Sequence, residues 1–80
     1  MLLKRLENQN EEMWKEAFAL CESAFPKEER RDLDELLRVM KNRDYHFCVL
    51  LDGDELCGIV LYWKIGELIY LEHLATLPEK

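Results

Sequence analysis

The hydrophobic period of this chain changes at residue 45, and that change limits the folds open to it. Apolar residues run in three strand-like stretches, residues 45–51, 56–65 and 68–76. Between them stand Asp52-Gly53-Asp54 and Gly66-Glu67, which supply hairpin turn chemistry. Connections this short join antiparallel neighbours, because a parallel pair needs a crossover of a dozen or more residues. The second half is therefore expected to be a three-strand antiparallel meander, with Pro78 stopping the last strand. Gly58, inside the middle strand, marks a bulge or a close backbone approach.

The last of these strands carries a carboxylate, Glu72, in an otherwise apolar run. An acid there needs a partner or a function. Simple alternation places Tyr70, Glu72 and Leu74 on one face and Leu71, His73 and Ala75 on the other. It also places Tyr62 and Trp63 on opposite faces, so that one of the two can face a groove.

Upstream, the period is helical. Residues 2–7 form a short first strand, broken by Asn8 and Asn10. Asn10 is expected to cap a helix, with Glu11 and Glu12 in its first turn. Met13, Trp14, Ala17, Phe18, Cys21, Ala24 and Phe25 make its apolar stripe, and Pro26 ends it. Residues 26–31 are a charged connector, read as a single helical turn. Asp32 then caps a second helix, with Glu35 at the capping-box position and an apolar stripe of Leu33, Leu36, Leu37 and Met40. Asn42 is its expected stop. The order is β-α-α-β-β-β, an α+β fold with an antiparallel sheet and two helices packed on it.

Eighty residues make one small domain, and 49% apolar content is enough for a core. No run approaches the ~18 apolar residues of a membrane span, and the N-terminus lacks the apolar region and cleavage site of a signal peptide. A cytosolic protein is expected. The net charge of −6 argues against nucleic acid as a partner; it fits a cationic small molecule or peptide, or a plain solvated surface. Cys21, Cys48 and Cys57 lack metal-ligand spacing and read as buried reduced thiols.

The run Tyr-Leu-Glu-His-Leu-Ala-Thr-Leu-Pro-Glu, residues 70–79, resembles the fourth strand of the GNAT N-acetyltransferases. Phe25-Pro26-Lys27-Glu28-Glu29-Arg30-Arg31 is similar to a connector of some bacterial members, and Asp52-Gly53 with Cys57-Gly58 is similar to the family's hairpin turn. The element order is that of the family's N-terminal half. The glycine-rich loop that holds the phosphates of acetyl-CoA would start at Lys80, so residues 1–80 resemble a partial domain.

The resemblance implies acetyl transfer from acetyl-CoA to a small-molecule or peptide amine by the full domain. This chain alone would be inactive and would bind the cofactor weakly or not at all. Backbone groups of Leu74, Ala75 and Thr76 would meet the cofactor, and Glu28, Glu29, Arg30 and Arg31 would line the acceptor pocket. Glu72 would face the acceptor as general base, its pKa raised by burial, with Tyr70 as the alternative. Glu72 as a structural or acceptor-binding residue is the competing reading. His73, on the opposite face, reads as a half-buried histidine and His46 as a surface one. An apolar, unpaired edge at residues 68–76 would favour a homodimer, formed through that edge or through exposed core faces. A non-catalytic dimeric α+β ligand-binding or interaction module is therefore the alternative function.

Overall fold

The structure, a computed structural model, describes residues 1–77; Pro78, the expected strand terminator, lies outside them. The elements are β1 (Leu2–Leu6), α1 (Trp14–Ala24), a 3-10 turn (Lys27–Glu29), α2 (Leu33–Val39), β2 (Tyr45–Asp52), β3 (Glu55–Ile65) and β4 (Leu68–Thr76). The four strands form one sheet in the order β1-β2-β3-β4, with every neighbouring pair antiparallel. The α+β class and the element order are as expected from the sequence.

Each hairpin turns through two residues. Asp52 pairs with Glu55 and Ile65 with Leu68, and Gly53 and Gly66 take the positive φ such turns require. Gly58 meets both expectations placed on it. The extra residue Cys57 shifts the β2–β3 register beside it, and a Cβ at position 58 would lie 2.6 Å from the Ala75 carbonyl oxygen on β4.

Register assigns the faces. Phe47, Val49, Ile59 and Leu61 lie on the face covered by the helices and are essentially inaccessible. Trp14, Ala17, Leu20 and Cys21 of α1 pack on them, with Leu36 of α2 and Met40 just after it. Asp32 caps α2 as expected, accepting a 2.8 Å hydrogen bond from the Glu35 amide. Phe25 is extended ahead of Pro26 and ends α1.

The start of α1 differs from expectation. Asn10 does not cap it. The Glu11 carboxylate accepts from the backbone amides of Glu7 and Asn8, which holds the chain in turns until Met13. Met13 sits in the left-handed region at φ 76°, and the helix begins only at Trp14.

Alternation along β4 also fails, and at the residue that matters most. Tyr62 pairs with Leu71 and Leu61 with His73, so Glu72 is an extra residue with no partner on β3. A bulge shifts the parity of everything after it. Tyr70 and Glu72 share the helix-side face, as expected. His73 joins them instead of opposing them, and Ala75 follows; Leu74 moves to the far face. The ring of His73 packs 4.4 Å from that of Phe25 at the end of α1, which fixes its side of the sheet.

Candidate functional site

The bulge puts the Glu72 carboxylate at the edge of the core, where three side chains converge on it. Arg31, from the connector before α2, donates through Nη2 at 3.0 Å and through Nε at 3.4 Å. The Tyr45 hydroxyl, at the start of β2, donates at 2.9 Å. Trp63 of β3 donates its indole N–H at 3.4 Å. These four bonds occupy the roughly four lone-pair positions a carboxylate offers. The Arg31 guanidinium also lies 5.8 Å above the Tyr45 ring, and Tyr45 meets Trp63 edge-on at 5.0 Å.

The protonation pattern follows from this geometry. Burial raises the Glu72 pKa, but hydrogen bonds from Arg31 and Tyr45 outweigh it, and the carboxyl is held below its usual range. The sequence-based expectation of a raised pKa is therefore corrected: burial acts in the expected direction, yet the donors win. The bond to Glu72 raises the Arg31 pKa further. Burial, reinforced by the Glu72 charge, pushes the Tyr45 hydroxyl far above the ordinary tyrosine value. At neutral pH the site is an ion pair with a neutral phenol.

Beside this network a cleft of about 510 Å³ opens over the end of the sheet, lined by Arg31, Trp63, Ile65, Leu68, Tyr70 and Glu72. Its floor is two cross-strand pairs at the tip of the β3–β4 hairpin, Trp63 with Tyr70 and Ile65 with Leu68. Neither helix covers it: Ile65 is 57% exposed, Leu68 76% and Tyr70 69%. A second, charged cleft of about 310 Å³ shares Arg31 and Glu72 and adds Glu28, Glu29, Arg30, Glu35 and His73. Tyr70, Glu72 and the four connector residues named from the sequence thus come together around two adjoining clefts. Of the Tyr62 and Trp63 pair, Trp63 faces the groove. Arg30 turns its Nε to the Phe25 carbonyl at 3.2 Å and braces the end of α1.

Leu74, Ala75 and Thr76 follow the bulge on β4, whose side away from β3 is unpaired among the described residues. Sequence reading missed Tyr45 as a site residue and missed the Arg31–Glu72 pair. A lone acid in an apolar strand signalled that a partner exists. Nothing local said which arginine it was, 41 residues away.

The three cysteines are free and buried, and burial raises the pKa of Cys21 and Cys48, as suits unreactive core thiols. Among the described residues no cluster of histidine, cysteine, aspartate and glutamate is able to hold a metal ion, and no helix is long and apolar enough to cross a membrane.

No family model matches the sequence, and no curated protein matches it. A solved structure does: a protein from Bacteroides thetaiotaomicron described as a GNAT-family acetyltransferase superposes with a TM-score of 0.89 at 28% identity. The match covers 99% of this chain and 46% of that one. The chain has a GNAT-like fold in part, an α+β fragment of two helices and a four-strand antiparallel sheet. It spans less than half the length of that neighbour.

Proposed function

We propose that this chain provides the acceptor side of an N-acetyltransferase site, with an amine bound in the cleft beside Glu72. The observation that carries the reading is the likeness to a GNAT-family acetyltransferase, together with a bulged β4 that aims Glu72 at an open cleft. When bound, acetyl-CoA supplies an acetyl thioester: a nitrogen–carbon bond forms at its carbonyl, the carbon–sulfur bond breaks, one proton leaves the amine and the thiolate takes one up. The unpaired backbone of β4 at Leu74–Thr76 suits a ligand that adds along a strand edge. The glycines of the chain lie in its two hairpin turns and in β3, so the described residues offer no loop to cradle phosphates.

In this reading Glu72 is a positioning residue. A carboxylate that already accepts four hydrogen bonds and has a lowered pKa is a poor proton acceptor. It fixes Arg31, Tyr45 and Trp63 in place. Tyr70, on the same face and exposed to the same cleft, is the group free to relay a proton through water. Free cysteines suit a cytosolic setting.

Calorimetric titration of the chain with primary amines, alongside light scattering, tests the proposal. Saturable amine binding supports it, with or without binding of acetyl-CoA. A second reading rests on the exposed Leu68, Ile69, Tyr70 and Leu71 of edge strand β4, which suit association with another copy. No binding together with a dimer mass would favour that non-catalytic module; a monomer at working concentration would remove it.

A further inference from the structure

We infer that the cleft selects an amine by an apolar, aromatic body the size of a single ring, and not by positive charge, so that an arylalkylamine is taken and a polyamine is not. This inference rests on the acceptor-site reading above and names the substrate class for it.

Three features of the cleft support it. First, its floor is apolar and partly aromatic. Trp63 and Tyr70 are register partners on the same face, with Ile65 and Leu68 one pleat further toward the turn. Aromatic residues at opposed positions of neighbouring strands are near enough for both to meet one bound ring. Second, the cleft carries no net charge. Its two ionised groups, Arg31 and Glu72, are paired with each other at 3.0 Å. Third, the single carboxylate has its lone pairs occupied by Arg31, Tyr45 and Trp63. An ammonium entering here finds no free anion, and it would have to displace a charge-assisted bond to obtain one.

The consequence for chemistry is direct. Acyl transfer requires the neutral amine. A cleft with no free anion gives the ammonium no partner, so contact with the aromatic body holds the neutral amine equally well. The volume of about 510 Å³ accommodates one ring and a short aliphatic arm and lies in the usual range of small-molecule sites. The neighbouring cleft, with Glu28, Glu29 and Glu35 on its rim, is where a polycation would settle instead.

The test uses the indole N–H signals of the whole chain in a proton–nitrogen correlation spectrum. There are two tryptophans. Trp63 bonds to Glu72 beside the cleft, whereas Trp14 is buried against Phe47 and serves as an internal reference. Titration with 2-phenylethylamine should shift the Trp63 signal saturably and leave Trp14 unmoved. Spermidine at the same concentration should shift the Trp63 signal less and without saturation, through the Glu72 that the two clefts share, and leave Trp14 unmoved. Leu68→Ser, at a largely exposed position, should weaken phenylethylamine binding by about tenfold, the loss expected for about 1.4 kcal/mol of apolar contact.

No saturable shift with phenylethylamine, an equal shift with spermidine, or unchanged affinity in Leu68→Ser would each overturn the inference. The acetyltransferase reading fails separately. Phenylethylamine bound at Trp63 by a dimer whose β4 edge is buried against its copy would sink that reading and keep the cleft's preference. Saturable binding of spermidine alone would do the reverse.

Discussion

The helix-side face of the sheet has two ends that meet solvent differently. Toward the β2–β3 hairpin, Phe47, Val49, Ile59 and Leu61 are sealed under α1 and α2. Toward the β3–β4 hairpin, Ile65, Leu68 and Tyr70 are apolar on the same face and stand open. Residue type does not separate the two ends; helix coverage does. The boundary between them is the polar seam of Tyr45, Arg31, Trp63 and Glu72, which terminates the core without leaving an unsatisfied buried polar side chain among the described residues. Apolar surface that a fold leaves uncovered beside a fixed ion pair is suited to a ligand or a partner rather than to stability.

Substitutions at the sealed end should cost the most. Phe47→Ala should cost about 3–5 kcal/mol, most of the stability of a domain this small, and should abolish a cooperative thermal transition. Gly58→Ala comes next. Its Cβ would meet a backbone oxygen that can move away only if β3 and β4 part, so a loss of about 1–3 kcal/mol in chemical denaturation is expected. An unchanged midpoint there would mean that β4 is not held against β3 as described.

Substitutions at the seam should have intermediate effects. Arg31→Ala removes two of the four bonds to Glu72 and should cost about 1–2 kcal/mol by denaturant midpoint. The seam also predicts a pH dependence. The folded pKa of Glu72 lies below its unfolded value, so its contribution is fully present above the ordinary carboxylate range, near pH ~4.3. It is lost as pH falls through the lower, folded value. The stability gap between the parent chain and Glu72→Gln should therefore be constant near neutrality and shrink in acid; a gap that widened on acidification would contradict the seam. The open end should respond least. Leu68→Ala should change stability by less than about 0.5 kcal/mol, and a larger loss would show that this end is covered in solution, as in the dimeric reading.

Much of the fold was legible before the structure. Two glycine turns between apolar runs fix the meander, Asp32 caps α2 through its own side chain, and Pro26 stops α1, because each of these depends on groups a few residues apart. The N-terminus of α1 was not legible, since the Glu11 side chain turns back to the Glu7 and Asn8 amides and Asn10 donates its own amide to Asn8 Oδ1, which keeps the chain in turns where the cap was expected. The members of the candidate site were mostly named in the sequence, from Arg31 to Glu72 and Tyr70, yet their relations were not. The carboxylate was expected to gain a raised pKa from burial, and its three donors lowered it instead.

By itself, then, the sequence determined the order of elements, the turns, the cap of α2 and the presence of an acid that had to be satisfied. Those properties are written in local periodicity and in short-range hydrogen bonding. Only the tertiary structure decided that Glu72 is a bulge, that His73 sits beside it rather than behind it, and that Arg31 and Tyr45 complete its shell. A bulge arises from how one strand fits its neighbour, and it reverses the parity that any reading along a single strand must assume.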